Sequence, residues 1–227
     1  VIGRFGWKAA QPNLKQQTAV AFHADIGATT FFFPEKNCPK IQIGCRELPS
    51  AAKCGGQGGC TGNNFRPEVL PSRLKNITTY LQTLNIPPRR ITDPKEILAG
   101  ENLFHETGCA ACHVPTLVTG EKTLLKEFRN MAFHPYTDLL LHDMGEQLSD
   151  HRPEGSANGR EWRTPPLWGI GLMDVISGGV GLLHDGRAAS VEEAILWHGG
   201  EALLSRHKFV GLPKPDRDRV IKFINSL

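Results

Sequence analysis

The stretch CAACH contains the residues of this chain with the clearest chemistry: Cys109, Cys112 and His113. Two thiols separated by two residues, with an imidazole directly after the second, are compatible with three kinds of site. They can anchor a haem through two thioether bonds, form half of a zinc site, or act as a redox dithiol. The surrounding sequence has to decide among the three.

Haem attachment explains this motif best. The two cysteine sulfurs bond to the two vinyl groups of the haem, and the imidazole of the next residue reaches the iron from the proximal side. A zinc site would need a second pair of ligands at hairpin spacing, and a redox dithiol would need a βαβ context that the helical pattern around it does not supply. Because c-type haem is attached outside the cytoplasm, the motif also predicts an extracytoplasmic protein.

The motif leaves the second axial ligand of the iron open. A haem with one free position can catalyse, whereas two strong ligands make it mainly an electron carrier. His198 is a candidate because it closes a short helix that a capping box predicts, with Ser190 as the N-cap and Glu193 three residues later. The other candidates are two histidines at apolar–polar junctions and two methionines, namely His142, His184, Met144 and Met173.

The other four cysteines lie in a stretch rich in Gly, Pro and Lys between two predicted helices. They are Cys38, Cys45, Cys54 and Cys60. An even set in such a loop predicts disulfides and an oxidising compartment, although the connectivity cannot be derived from the sequence. Free thiols or a zinc site are the alternatives, but the spacings are wider than those of the usual zinc hairpins.

The bulk composition of the 227 residues is that of a globular protein, with enough material for one large domain or two small ones. The formal net charge of +3 is too small and too evenly spread to favour nucleic acid or a membrane surface as a partner. No apolar run approaches the roughly 18 residues of a transmembrane helix. Because the chain begins with Val1 rather than Met, we expect a processed, cloned or partial segment that can have lost a leader.

Amphipathic spacing and capping residues predict a mostly α chain with long loops, and strand signals are scarce. In one of the predicted helices, Gly100 and Phe104 lie four residues apart, where they could receive the aromatic face of Phe223. The predicted helices cover residues 14–23, 72–84, 92–108, 190–200 and 216–227.

Two of these helices share an apolar pattern. The segments ITTYLQTL (77–84) and VIKFINSL (220–227) carry large apolar residues at the same four positions. A Pro-rich stretch follows the first of them. A repeated domain type predicts a domain boundary in that linker, near residues 85–92.

GCAACH, together with HPYTDLLLHDMG, GREWRTPPLWGIGL and LLHDGRAASVEEAILWHGGEA, resembles the bacterial di-haem cytochrome c peroxidase and MauG superfamily. The best match is with its di-haem oxidoreductase branch, also described as thiol oxidoreductases, and it extends to GRFGWKAAQPNLKQQTAVAFHADIG near the start. The resemblance implies a complete, cytochrome c-like haem domain over residues 87–227. Residues 1–86 would be the C-terminal part of a preceding domain of the same kind, including the Cys-rich loop.

The resemblance also implies a set of site residues. In the superfamily, a segment RTPxL is followed by HDG and then by a short helix that ends at the second axial ligand, where this chain has His198. A bis-histidine haem would therefore have His113 as its proximal and His198 as its distal ligand. Arg163 and the HDGR turn, which begins with His184, would lie close to the haem, at its propionates.

The chain departs from the family pattern in containing one CxxCH motif, whereas members carry two haems. The resemblance therefore implies a second haem, attached upstream of Val1. In the peroxidases a loop glutamate assists catalysis at that first haem. FHADIGATT resembles this loop, with Asp25 at the position of the carboxylate and His23 nearby. An ordinary exposed aspartate is the alternative for Asp25.

The function implied is that of the electron-transfer part of a periplasmic di-haem oxidoreductase. It would exchange electrons with a donor or acceptor protein and act on peroxide, a thiol or a protein side chain, and a calcium ion at the domain junction is typical of relatives. Two alternatives are a mono-haem carrier or docking module without catalysis of its own, and a five-coordinate peroxidatic haem with His198 displaced. The tryptophans are candidate electron relays or ordinary core residues: Trp7, Trp162, Trp168 and Trp197.

Overall fold

The computed structural model describes residues 2–48, 53–54, 65–123, 125–179 and 181–227. Within them the chain is mostly helical, as the sequence predicts, and its few strands form short antiparallel pairs. No helix in these ranges is long and apolar enough to cross a membrane. The helices are α1 (Leu14–Ile26), α2 (Ile43–Glu47), α3 (Pro71–Gln82), α4 (Pro94–Glu106), α5 (Met173–Ser177), α6 (Val191–Trp197), α7 (Leu203–Gly211) and α8 (Lys214–Ser226). The strand pairs are β1 (Lys53–Cys54) with β2 (Phe65–Arg66), β3 (Leu117–Val118) with β4 (Ala132–Phe133), and β5 (Leu141–Asp143) with β6 (Glu161–Arg163).

The chain forms two compact units. One consists of residues 1–6 and 11–85, and the other of residues 7–10 and 86–227. The interpretation of the first unit as the C-terminal part of a cytochrome c-like domain, and of the second as a complete haem domain, stays a prediction.

The core of the first unit lies between α1 and α3. Ala19 of α1 and Leu74 of α3 are buried together with Val69, and Phe22 and Phe33 pack against them. Burial of these apolar side chains stabilises the pairing of the two helices by roughly 25 cal/mol for each Å² removed from water.

The Cys-rich loop contains a disulfide between Cys38 and Cys45, whose Cα atoms are 5.9 Å apart. The prediction of disulfides in this loop is confirmed for that pair. Cys54 lies in β1, but its side chain, like the whole of Cys60, lies outside the described residues.

In the second unit α4 crosses α8 at the centre of the core. Gly100 makes this close approach possible, because a Cβ atom built there would lie 2.1 Å from the carbonyl oxygen of Arg219 and 2.9 Å from Cβ of Phe223. Phe104, one turn further along α4, has its ring centroid 5.2 Å from that of Phe223, and both side chains are fully buried. The predicted contact of Gly100 and Phe104 with Phe223 is confirmed.

Lys8 is a buried cation of the second unit. Its ammonium donates to Oδ1 of Asp150 at 2.8 Å and to the carbonyl oxygens of Arg152 and Asn158, each at 2.9 Å. It also lies 4.2 Å from the centroid of the Trp162 ring. A buried charge needs such a set of partners, because leaving it unpaired would cost several kcal/mol.

Helices α7 and α1 differ from the sequence-based expectations. Helix α7 was not predicted, because Leu204 and Val210 face solvent while Phe209 is buried, so its apolar residues form no continuous stripe. Helix α1 continues to Ile26, so the exposed Asp25 lies in the last turn of a helix rather than in a loop.

Candidate haem site

The CAACH motif forms a tight turn shortly after α4. Cys109–Ala111 is a 3₁₀ turn, and the amide of His113 donates to the carbonyl oxygen of Cys109 at 2.9 Å. Cys109 packs against the core formed by α4 and α8. The crossing of these two helices therefore fixes the position of the first cysteine.

The two thiols of the motif are free and lack the activation that a redox dithiol requires. Burial raises the pKa of Cys109. Burial also raises the pKa of Cys112, with a further contribution from the carboxylates of Asp138 and Glu201. Reactive dithiols depend on a lowered pKa, so this environment favours covalent attachment over thiol–disulfide exchange.

The imidazole of His113 is held in one tautomer by the backbone. Its Nδ1 lies 2.9 Å from the carbonyl oxygen of Tyr136, and because a carbonyl can only accept, Nδ1 carries the proton. Burial lowers the pKa of His113 to about 4, so the ring is neutral at physiological pH. Nε2 is left with a lone pair, as a metal-binding histidine needs.

His198 has the same arrangement at the C-terminal end of α6. Its Nδ1 donates to the carbonyl oxygen of Ala194 at 2.7 Å, and burial lowers its pKa. Ser190 caps the helix by accepting from the amide of Glu193, as predicted. Within the described residues, no hydrogen-bond partner lies at Nε2 of either His113 or His198.

The two imidazoles lie within electrostatic reach of each other, since His198 contributes to the lowered pKa of His113. Both present a neutral ring with Nδ1 bonded to a backbone carbonyl, which is the usual arrangement of metal-ligating histidines. The cysteines and histidines of this site therefore fit a haem c with two imidazole ligands.

The other histidine candidates for the second axial position have different environments. Both ring nitrogens of His142 are engaged with carboxylates, Nε2 with Asp138 and Nδ1 with Glu201, each at 2.8 Å. The ring of His184 stacks on Trp162 with centroids 3.6 Å apart. The geometry thus favours His198 over these two residues.

A loop within HPYTDLLLHDMG supports the CAACH turn, although the sequence did not indicate this role. The amide of Thr137 donates to the carbonyl of Val114 at 3.0 Å, and the amide of Asp138 donates to that of Cys112 at 2.9 Å. Tyr136, whose carbonyl holds His113, has a positive φ of 53°. Non-glycine residues rarely adopt this conformation, and its strain is offset by the hydrogen bonds around it.

Cys112, Asp138 and His142 form a cluster of the kind that can bind a metal ion, with ligand atoms within 4.8 Å of one another. Thioether attachment to a haem would remove the thiolate of Cys112. Both nitrogens of His142 already donate to carboxylates, so the cluster fits an ion-paired bridge better than a metal site. Burial lowers the pKa of His142, but the hydrogen bonds to Glu201 and Asp138 outweigh it, and the net pKa is raised.

Arg163 and His184, which the family resemblance places at the propionates, lie in the same unit as the two axial candidates. Arg163 ends β6, where its amide donates to the carbonyl of Trp7 and Nη1 lies 3.2 Å from the carbonyl of Thr164. Burial lowers the pKa of Arg163 and also that of His184. In the HDGR turn, the guanidinium of Arg187 lies 4.9 Å from the Trp197 ring centroid. The turn therefore contacts the residue next to His198.

Asp25 lies in the other unit, exposed at the end of α1. Its neighbour His23 stacks on Phe33 with ring centroids 5.1 Å apart. The catalytic role of Asp25 stays a prediction.

Comparison with known proteins identifies the family of the chain. A family model described as "Di-haem oxidoreductase, putative peroxidase" matches residues 1–227. No curated protein matches the chain significantly. A solved structure, the hydrazine synthase of Kuenenia stuttgartiensis, is similar at 16% identity and a TM-score of 0.43, over 72% of this chain and 57% of that one. The present chain thus spans little more than half the length of that chain. On the whole-length family match, the chain belongs to the di-haem oxidoreductase family.

Proposed function

We propose that this chain forms the haem c electron-transfer part of a di-haem oxidoreductase related to cytochrome c peroxidase and MauG. Cys109 and Cys112 would attach the haem, and His113 and His198 would be its axial ligands. The proposal depends on one observation: the two imidazoles have the same tautomer and the same charge. Each is neutral through burial, and each donates Nδ1–H to a backbone carbonyl, with Nε2 left for the iron.

A haem c bound there supplies one-electron redox chemistry. The chain's own contribution is to hold both imidazoles in fixed orientations, since the carbonyls of Tyr136 and Ala194 lock their tautomers. Two strong ligands leave no open position for peroxide. Arg163 and His184 would hold the propionates. In this proposal the residues keep the geometry constant between redox states, and catalysis takes place elsewhere in the protein.

The remaining parts of the proposal follow from the family. A second haem would be attached upstream, and Asp25 would serve catalysis there on peroxide, a thiol or a protein side chain, with an electron-carrier protein as the redox partner. A calcium ion belongs to the same expectation. The disulfide between Cys38 and Cys45 supports a periplasmic or other extracytoplasmic location, because such bonds persist in oxidising compartments.

The ligand assignment is tested by the ferric spectrum of the haem-loaded protein. The wild type should be low-spin with a bis-histidine electron paramagnetic resonance signature and should bind cyanide weakly. His198→Ala should become high-spin and bind cyanide tightly, whereas His207→Ala, at an exposed histidine of α7, should match the wild type. A His198→Ala variant that stays low-spin with unchanged cyanide binding would refute His198 as the ligand.

The number of haems separates this proposal from a mono-haem carrier. A pyridine haemochrome assay on the full-length gene product, combined with its intact mass, should give two haems per polypeptide. One haem per polypeptide would favour an electron carrier or docking module without catalysis, and the role proposed for Asp25 would be lost. A polypeptide without covalent haem would refute the whole proposal.

A further inference from the structure

One side chain, His142 in β5, bonds both to the turn that follows His198 and to the loop that supports His113. Nε2 of His142 lies 2.8 Å from Oδ2 of Asp138, and Nδ1 lies 2.8 Å from Oε2 of Glu201. Because both partners are carboxylates, both ring nitrogens donate, and the imidazolium bridges them with two charge-assisted hydrogen bonds. His142 and Asp138 are largely buried, with side chains 17% and 12% exposed, whereas Glu201 is 56% exposed.

On one side the bridge reaches the support of His113. The amide of Asp138 donates to the carbonyl of Cys112, and the carbonyl of Tyr136, two residues earlier, accepts from Nδ1 of His113. The backbone of this loop is already strained at Tyr136 and at Leu139, whose φ is 61°. The carboxylate of Asp138 is therefore anchored to the segment that orients the proximal imidazole.

On the other side the bridge reaches the turn directly after His198. Glu201 lies in the 3₁₀ turn Gly200–Ala202, and its second oxygen, Oε1, accepts from the amide of Asp143 at 2.9 Å. The turn packs backbone to backbone on the end of β5, because a Cβ at Gly200 would lie 2.0 Å from the carbonyl oxygen of Asp143. Through its two carboxylate oxygens, Glu201 therefore ties this turn to both His142 and Asp143 of β5.

We propose that His142 is a positioning residue that fastens the turn after His198 to the loop that supports His113, and thereby keeps His198 on the iron. This inference rests on the proposed function, since it assumes that both histidines are axial ligands. When His142 is replaced, the turn after His198 keeps its backbone contact with β5 and the hydrogen bond from the amide of Asp143 to Glu201, but it loses the side-chain link to Asp138. The fraction of molecules in which His198 has left the iron then rises.

Cyanide binding to the ferric, haem-loaded protein measures this fraction. Cyanide competes with His198 for the sixth position, so its apparent affinity rises by the same factor as the open fraction. A glutamine amide is uncharged and both of its N–H donors share one nitrogen, so it cannot replace the two charge-assisted hydrogen bonds that His142 makes from two separate nitrogens. We expect His142→Gln and, independently, Glu201→Ala to raise the cyanide affinity about tenfold, as the loss of a charge-assisted hydrogen bond predicts.

Two further variants sharpen the test. His142→Arg, whose guanidinium can donate to both carboxylates, should return the cyanide affinity to within about threefold of the wild type. His151→Gln is the matched control, because Nδ1 of His151 also lies near a carboxylate, 3.6 Å from Oε1 of Glu146. Its side chain is 75% exposed and, among the described residues, makes no hydrogen bond to the turn after His198 or to the loop that supports His113. It should bind cyanide as the wild type does.

The outcomes separate the inference from the proposed function. Suppose that the wild type has the bis-histidine spectrum but the cyanide affinities of His142→Gln and Glu201→Ala stay within about twofold of the wild-type value. The inference is then wrong. If His142→Gln lowers only the melting temperature, His142 has a purely structural role. If the wild type lacks the bis-histidine spectrum, the proposed function fails. Glu201→Ala keeps the test valid should His142→Gln not fold, because Glu201 lies at the surface.

Discussion

The substitution Gly100→Ala tests the helix crossing that carries the CAACH turn. The added Cβ would lie 2.1 Å from the carbonyl oxygen and 2.7 Å from the carbonyl carbon of Arg219, where ordinary contacts begin at 3.4 Å. Backbone atoms cannot rotate away, so α4 and α8 would have to separate by about 1 Å. That movement loosens the contact between Phe104 and Phe223, whose ring centroids are 5.2 Å apart.

Two opposing effects set the magnitude for Gly100→Ala. Overpacking against a backbone costs about 3 kcal/mol, at the upper end of the usual range. Alanine in place of glycine inside a helix contributes about 1 kcal/mol in the opposite direction. The net loss in the free energy of unfolding is about 2 kcal/mol, which lowers the melting temperature by roughly 4–8 °C in a chain of this size.

Thermal unfolding of the haem-loaded protein, followed by circular dichroism, measures this loss. Gly211→Ala is the matched control, because Gly211 also lies in a helix, α7. Among the described residues outside its own helical backbone, no atom lies within 4 Å of the position that an added Cβ would take. That variant should be as stable as the wild type or slightly more stable. A Gly100→Ala protein that melts at or above the wild-type temperature would show that α4 and α8 do not cross as closely as described.

Two further predictions concern buried charges. Lys8→Met should lower the free energy of unfolding by roughly 2–3 kcal/mol, because Asp150 and two carbonyls lose their donor. The loss is limited because Asp150 is partly accessible to water. Lys95→Met, at an exposed lysine, is the control, and equal melting temperatures of the two variants would contradict the prediction. The His142 bridge should depend on pH: since its folded-state pKa is raised above the usual 6.5, its contribution is complete below pH 6.5 and is lost as the pH rises through the folded-state pKa. The stability difference between the wild type and His142→Gln should therefore shrink from pH 6 to pH 9 in urea unfolding, and a constant or growing difference would refute the ion-paired bridge.

The parts of the site that the sequence could predict are local. The CAACH motif, the cap at Ser190 and the spacing of Gly100 and Phe104 each depend on residues a few positions apart. They predict a covalent haem anchor, the start of a helix and a close approach between helices, and none of these predictions requires knowledge of the fold. They can be recognised in the sequence for that reason, and the structure shows the cap and the helix contact as expected.

The parts that the sequence could not predict depend on long-range contacts. Tyr136 supplies its carbonyl to His113 from 23 residues away, in a backbone conformation that a tyrosine seldom adopts. His142 stood out only as a candidate ligand, because nothing in LLLHDMG indicates that Glu201, 59 residues later, occupies one of its nitrogens. Periodicity and capping patterns contain no information on such pairings.

The ammonium of Lys8, 4.2 Å from the centre of the Trp162 ring, affects how easily this tryptophan could relay an electron. One-electron oxidation of an indole creates a radical cation, which would form beside a positive charge that is already fixed. At an effective dielectric constant of 20, this repulsion is roughly 4 kcal/mol before the offset from Asp150. The guanidinium of Arg187 likewise lies 4.9 Å from the centroid of the Trp197 ring, and its ion pair with Asp185 at 2.6 Å offsets part of its charge. We therefore expect Trp162 and Trp197 to be harder to oxidise than a tryptophan without a neighbouring cation, which disfavours both as electron relays.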